Sequence, residues 1–284
     1  MLTDLRLAAR ALRRAPAFAL ATTFTLALGL GATTALFTAV RGVLLRPLPY
    51  PRAGQIVQIQ EVNPKGTAIN VTDPNVRDWR RDTRTLRALA EYAGGPVVVR
   101  GGGATANVGS ATVSRDFFDV FGVHPAVGRA FLAEEQQVGA DPAAVVGDAF
   151  WRRTLDATPD LGRARITVDG TRYRVVGVMP EGFAFPAGTE VWVPRELLPL
   201  EQYRNSHNWH AVGRVADGVA PEAAQRELTA LTQALKRQYG SDMTAVDARV
   251  VPLREQLVGK TRGPLLLLFA AAGEATREIG RAHV

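Results

Sequence analysis

Cysteine is absent from the chain, which excludes disulfides, a thiolate nucleophile and every cysteine-based zinc or iron–sulfur site. The absence does not fix the compartment, since a domain with an ample apolar core needs no covalent staple. Acidic residues are almost missing from the first 52 positions, where Asp4 stands alone against Arg6, Arg10, Arg13, Arg14, Arg41, Arg46 and Arg52. That stretch carries all but one unit of the formal net charge of +7, and everything after it is close to neutral. A basic groove tracking phosphates therefore has little support, and no nucleic-acid partner is expected. Basic charge gathered around an apolar stretch fits an anionic lipid surface instead. A mean hydropathy of -0.01 excludes a polytopic helical bundle.

Charge of either sign is missing from Ala15 to Val40. As a helix this run would span ~39 Å, enough to cross a ~30 Å hydrocarbon core. A cleaved signal peptide has an apolar core of only ~7–15 residues before its cleavage site, and Ala35-Leu36-Phe37-Thr38-Ala39 makes a poor site. The expectation is one uncleaved transmembrane helix over 15–41 in contact with the lipid bilayer. The arginine excess on the N-terminal side orients residues 1–14 to the cytoplasm and the main domain to the periplasm. Leu5, Ala8, Ala9 and Leu12 share one helical face, so 1–14 reads as an interfacial amphipathic helix; an unstructured basic flank is the alternative. Gly31, Ala35 and Ala39 repeat every four residues, a spacing that admits another transmembrane helix and that alanine-rich chains also produce by accident.

From 51 to 262 the pattern is that of a mixed α/β (α+β) domain. Gln55–Gln60 alternates as a strand. Val76–Tyr92 has the spacing of a helix with Asp73 as its N-cap. Pro96–Arg100 and Ala106–Val113, joined across three glycines, predict a hairpin. A helical turn is expected at Arg115–Phe121, with further strands at Ala143–Val146, Ala164–Val168 and Tyr173–Val178, the last two joined at Asp169-Gly170. A helix begins after Ala220 with Ala224, Leu228, Leu231 and Leu235 as its apolar stripe, and Ala248–Val251 returns to extended structure. Phe117, Phe118, Val176, Trp192, Leu228 and Leu231 are expected inside the core.

No catalytic, cofactor-binding or metal-binding residue emerges. His207 and His210 flank Trp209, but a spacing of three puts them on opposite faces of a strand with no third ligand. Gly101-Gly102-Gly103 leads from strand to strand, so it is a turn and not a dinucleotide loop. Gly259-Lys260-Thr261 mimics the end of a phosphate loop, but Arg254 stands where that loop needs glycine. Asp141, Asp148, Asp156 and Asp160 suit turn caps better than acid–base work. The expectation is a protein that is not an enzyme and carries no cofactor.

Three stretches carry a family resemblance: Asp4–Arg10 through Leu26–Ala32 to Val43–Tyr50; Val113–Phe131; and Tyr173–Pro186 with Val191–Pro194. Together they resemble ABC-transporter permeases of the macrolide-exporter (MacB-like) class, particularly the duplicated orphan permeases encoded without their own ATPase. The resemblance implies a first transmembrane helix, a periplasmic core domain with a ferredoxin-like part and a second α/β part, and three more transmembrane helices. It further implies residence in the bacterial inner membrane, a separate cytoplasmic ATPase subunit as partner, possible periplasmic partner proteins, and a mechanical rather than catalytic role in export. The chain departs from this pattern at its end. Residues 263–273 read as the start of a second transmembrane helix, interrupted by Glu274 and Arg277. Residues 274–284 read as an aberrant tail, because Ile279–Val284 is what a common sequencing-library adapter spells when translated. The rival reading is a single-span periplasmic adaptor that binds other proteins; an anchored hydrolase lacks a nucleophile–base pair.

Overall fold

The structure, a computed structural model, describes residues 16–40 and 48–259. The interfacial segment 1–14, the second apolar segment 263–273 and the tail 274–284 lie outside the described residues. Two compact units divide the chain, residues 48–256 forming the larger.

In the smaller unit, helix α1 is Pro16–Val40, 25 residues without a charged side chain. Leu20, Phe24, Leu28 and Leu30 are exposed. The hydroxyls of Thr34 and Thr38 donate back to Leu30 O and Thr34 O, at 2.7 and 2.8 Å. Among the described residues no helix is long and apolar enough to cross a membrane, so the transmembrane helix expected over 15–41 is not shown by them. The side chains of Phe18, Leu26, Leu36, Phe37 and Val40, which belong to the apolar bulk of this segment, lie outside the described ones.

The larger unit follows in chain order: β1 Ile56–Val62, β2 Ala68–Ile69, α2 Asp73–Asp82, β3 Leu86–Gly101, β4 Ala104–Val113, α3 Phe117–Phe121, β5 Val127–Gly128, β6 Ala143–Gly147, α4 Asp148–Thr154, β7 Arg165–Val168, β8 Thr171–Met179, β9 Thr189–Pro194, β10 His210–Val215, α5 Pro221–Tyr239 and β11 Asp247–Pro252. One sheet runs β11-β1-β10-β3-β4-β9-β6-β8-β5. Its first four strands are antiparallel, and α2 and α5 connect β1 to β3 and β10 to β11. That is the βαββαβ arrangement of a ferredoxin-like fold. Everything from β4 to β9 is inserted between its second and third strands. In the insertion β7 pairs with both β3 and β8, so the ladder β3-β4-β9-β6-β8-β7 closes into a ring. Val99, Val108, Val191, Val146, Val175 and Ile166, one from each of these six strands, share one apolar cluster, as closure requires of alternating side chains.

The two parts share β3. Its first half pairs with β10 and its second with β4 and β7. This corrects the expectation of a helix over 76–92, which holds only to Asp82. The Glu227 carboxylate on α5 accepts from the Thr83 hydroxyl and from the Arg84 and Thr85 amides at 2.7, 2.9 and 3.0 Å. Those groups are thereby satisfied in extended backbone, and Leu86 onward serves the sheet. Asp73 is not the N-cap either; Thr72 holds that place in extended conformation. The hairpin turn falls at Gly102-Gly103, both at positive φ, and a Cβ on Gly102 would lie 1.9 Å from Thr154 O. Only glycine fits so close an approach.

Phe117, Phe118, Val176, Trp192 and Leu228 are buried as expected. Leu231 only flanks its cluster. Thr232 takes the inward position beside Leu228, because its hydroxyl accepts the Trp79 indole N–H at 3.1 Å and donates to Leu228 O at 2.7 Å.

Candidate functional site

Where the ferredoxin-like part meets the insertion, ionisable side chains gather inside the fold. Arg195, the first residue after β9, is 1% exposed. Its Nη2 donates to Asp73 Oδ2 at 2.7 Å, its Nη1 reaches Leu198 O and Pro199 O at 3.1 and 3.2 Å, and its Nε stands 3.8 Å from Glu91 Oε1. The guanidinium lies 4.5 Å over the Trp209 ring, a desolvated cation–π contact. Asp73 opens α2 and Glu91 sits in β3, so one arginine from the end of the insertion holds two elements of the ferredoxin-like framework. Asp73 also accepts the Glu201 amide at 2.8 Å, which fixes the loop that follows.

A second branch begins at Glu61 on β1, fully buried. Its Oε1 accepts from the Thr72 amide, the Thr72 hydroxyl and Asn75 Nδ2, at 3.1, 3.2 and 2.8 Å, and its Oε2 faces His207 Nδ1 at 3.0 Å. Arg204 continues the chain to Asn75 at 2.5 Å and Asp78 at 2.6 Å and stacks on Tyr239 at 3.7 Å.

Electrostatics follow from this packing. Burial, with the negative charge of Asp73 added, pushes the Glu91 carboxyl up to about 8, against the weaker pull of Arg80 and Arg195. Arg195 fails to hold Glu91 ionised because its close contact is with Asp73. The Glu61 carboxylate raises His207 above its ordinary value.

Both shifts have the same sign in stability. A raised histidine stabilises fully below its unfolded value near 6.5, and that contribution is lost as pH rises through the folded value. A carboxyl raised from 4.5 to about 8 likewise favours the fold at low pH and loses that advantage between those values. Urea melts from pH 5 to 8.5 should show falling stability, opposed only below about pH 6.5 by His210, which burial holds under its ordinary value. Glu91→Gln should remove most of the slope, roughly 2–5 kcal/mol over the window. An unchanged slope in that variant would mean Glu91 is ionised in the folded protein.

The structure separates the residues singled out in the sequence. His207 precedes β10 and faces Glu61, while His210 opens the strand with its ring 5.2 Å from Tyr92. Among the described residues no group of three or more His, Asp or Glu could hold a metal. Asp141 and Asp148 pair with Arg174 and Arg152, Asp160 accepts the Gly162 amide, and Asp156 takes a left-handed turn position. Arg195, Glu91 and Glu61 escaped sequence reasoning, and Asp73 reads in the sequence as a helix cap and not as an ion-pair partner. The available signal was a lone carboxylate in the apolar run Ala88-Leu89-Ala90-Glu91-Tyr92, and an arginine directly behind the apolar Val191–Pro194.

The comparisons fit this fold. Residues 19–231 match the family model described as the MacB-like periplasmic core domain. The chain belongs to that family. Among solved structures, the periplasmic region of MacB from Actinobacillus actinomycetemcomitans is similar over 76% of this chain and 93% of that one, at 14% identity and TM-score 0.52. The extracellular domain of the noncanonic ABC-type transporter YknZ from Gram-positive bacteria is similar over 69% and 99%, at 13% identity and TM-score 0.52. At such identities the likeness is one of fold. No curated protein matches the chain. In this MacB-like periplasmic core domain, Arg195 ties the insertion to the ferredoxin-like framework.

Proposed function

We propose that the chain is the membrane-anchored, periplasmic part of an ABC-type permease subunit and transmits force rather than catalysing a reaction. The observation that carries this reading is that one family match, over residues 19–231, includes most of the uncharged helix and much of the domain behind it. The exposed Leu20, Phe24, Leu28 and Leu30 of α1 support a lipid-facing role for 15–41, and the arginines before it support a cytoplasmic N-terminus. A separate cytoplasmic ATPase would supply the energy, and the periplasmic domain would change position as the helices move. Transmission needs a body that does not yield. The shared strand β3 and the Arg195–Asp73 bond, which hold the two parts together, suit that task.

The test lies in the gene. Genomic sequence continuing past residue 273 into three further apolar spans, beside a gene for an ATPase, is the expected result. A stop codon there with no downstream spans would replace the permease reading with that of a single-span adaptor.

A further inference from the structure

Arg214 on β10 is 4% exposed, and its hydrogen bonds go to neutral groups alone. Nε donates to Val120 O at 2.8 Å, Nη1 to Gln55 Oε1 at 3.2 Å and Nη2 to Pro51 O at 3.0 Å. All three acceptors are neutral, and among the described residues no carboxylate lies within ion-pair distance of it. Two of its five N–H groups remain. Burial, then the nearby charges of Arg52 and Arg87, hold its pKa below the ordinary arginine value against the weaker opposing pull of Asp217. A buried cation without a counter-ion is costly.

Beside Arg214 lies a cavity of about 540 Å³ lined also by Arg52, Arg87, Asp116, Asp119 and His124. One of its two acids is engaged, and a carboxylate just outside the lining serves its exposed arginines. Asp217 serves Arg52 at 2.7 Å and Arg87 at 4.0 Å, and Asp116 is 3.5 Å from Arg80. In and around the cavity stand four guanidiniums, those of Arg52, Arg80, Arg87 and Arg214, against the three carboxylates of Asp116, Asp119 and Asp217, and Arg214 is the guanidinium with no carboxylate within ion-pair distance.

We infer that this cavity binds a phosphate-class anion, with Arg214 as its buried anchor and the exposed side chains of Arg52 and Arg87 at its rim. Guanidinium forks match phosphate oxygens in planar, charge-assisted pairs. Free phosphate and the phosphodiester of an anionic lipid share this chemistry; Pro51 follows Val40 by eleven positions, which makes the lipid a source to test. The inference goes beyond the transport reading and does not rest on it.

The test uses the full chain in dodecyl maltoside micelles, which contain no phosphate. One arm titrates inorganic phosphate by calorimetry at constant ionic strength, with chloride as control. The other counts phosphatidylglycerol retained in native mass spectra. Arg87→Glu and Arg52→Glu alter exposed side chains and should leave the melt unchanged while weakening binding at least tenfold; Arg214→Gln should abolish it. Saturable phosphate binding with one-to-one lipid retention, both lost in the variants, assigns the lipid headgroup. Phosphate binding without lipid retention assigns the free anion. Binding in neither arm, or binding indifferent to Arg52 and Arg87, overturns the site, whatever the fate of the permease reading.

Discussion

Replacing Arg195 by methionine should lower the stability of the domain by about 3–5 kcal/mol, the range for removing one partner of a buried charge pair. Methionine keeps much of the volume and the contact with Trp209, so the loss is chiefly electrostatic. Asp73 would be left with the Glu201 amide at 2.8 Å and the partly exposed Arg77 at 3.4 Å. Adding Asp73→Asn should restore about 1 kcal/mol or more, because the stranded charge is then gone. Equilibrium urea unfolding of the two variants and the parent measures both numbers. If Arg195→Met costs under about 1 kcal/mol, the arginine is not what fastens the insertion.

Trp192→Ala should cost a comparable amount, about 3–5 kcal/mol, through a different mechanism. The indole is fully buried, packs 5.4 Å from Phe183 and 6.2 Å from Phe118, and donates to Phe185 O at 2.8 Å. Alanine leaves a cavity among rings that also include Phe117 and Phe121, and it orphans that carbonyl. Trp192→Phe refills most of the space and should lose less than half as much. Equal losses in the two variants would place the cost in the hydrogen bond and not in the packing.

The parts of the fold that local chemistry dictates were legible in the sequence. Asp169-Gly170 marked the β7–β8 turn, the three glycines from Gly101 the β3–β4 turn, and the apolar stripe after Ala220 the helix α5. What long-range contacts decide was not legible. The ending of α2 depends on a carboxylate 144 positions from Thr83, and the burial of Thr232 depends on an indole 153 positions away. Closure of the ring by β7 is likewise invisible to periodicity, since a strand reads the same with one neighbour or two. The ionic network was missed because its members look like ordinary surface charges, or in the case of Asp73 a helix cap, until Arg195 and Asp73, 122 positions apart, meet. The family resemblance supplied the ferredoxin-like part and its companion, which composition and spacing alone left as a mixed α/β domain.

The absence of cysteine makes the proposed arrangement across a membrane directly measurable. Thr3→Cys and Lys65→Cys each introduce a single thiol, the second at an exposed turn position between β1 and β2. Intact spheroplasts carrying each variant are exposed to a membrane-impermeant maleimide, then permeabilised and exposed again. An anchored periplasmic domain predicts that position 65 labels in intact cells and position 3 only after permeabilisation. Labelling of position 3 from outside, or of position 65 only after permeabilisation, would contradict it.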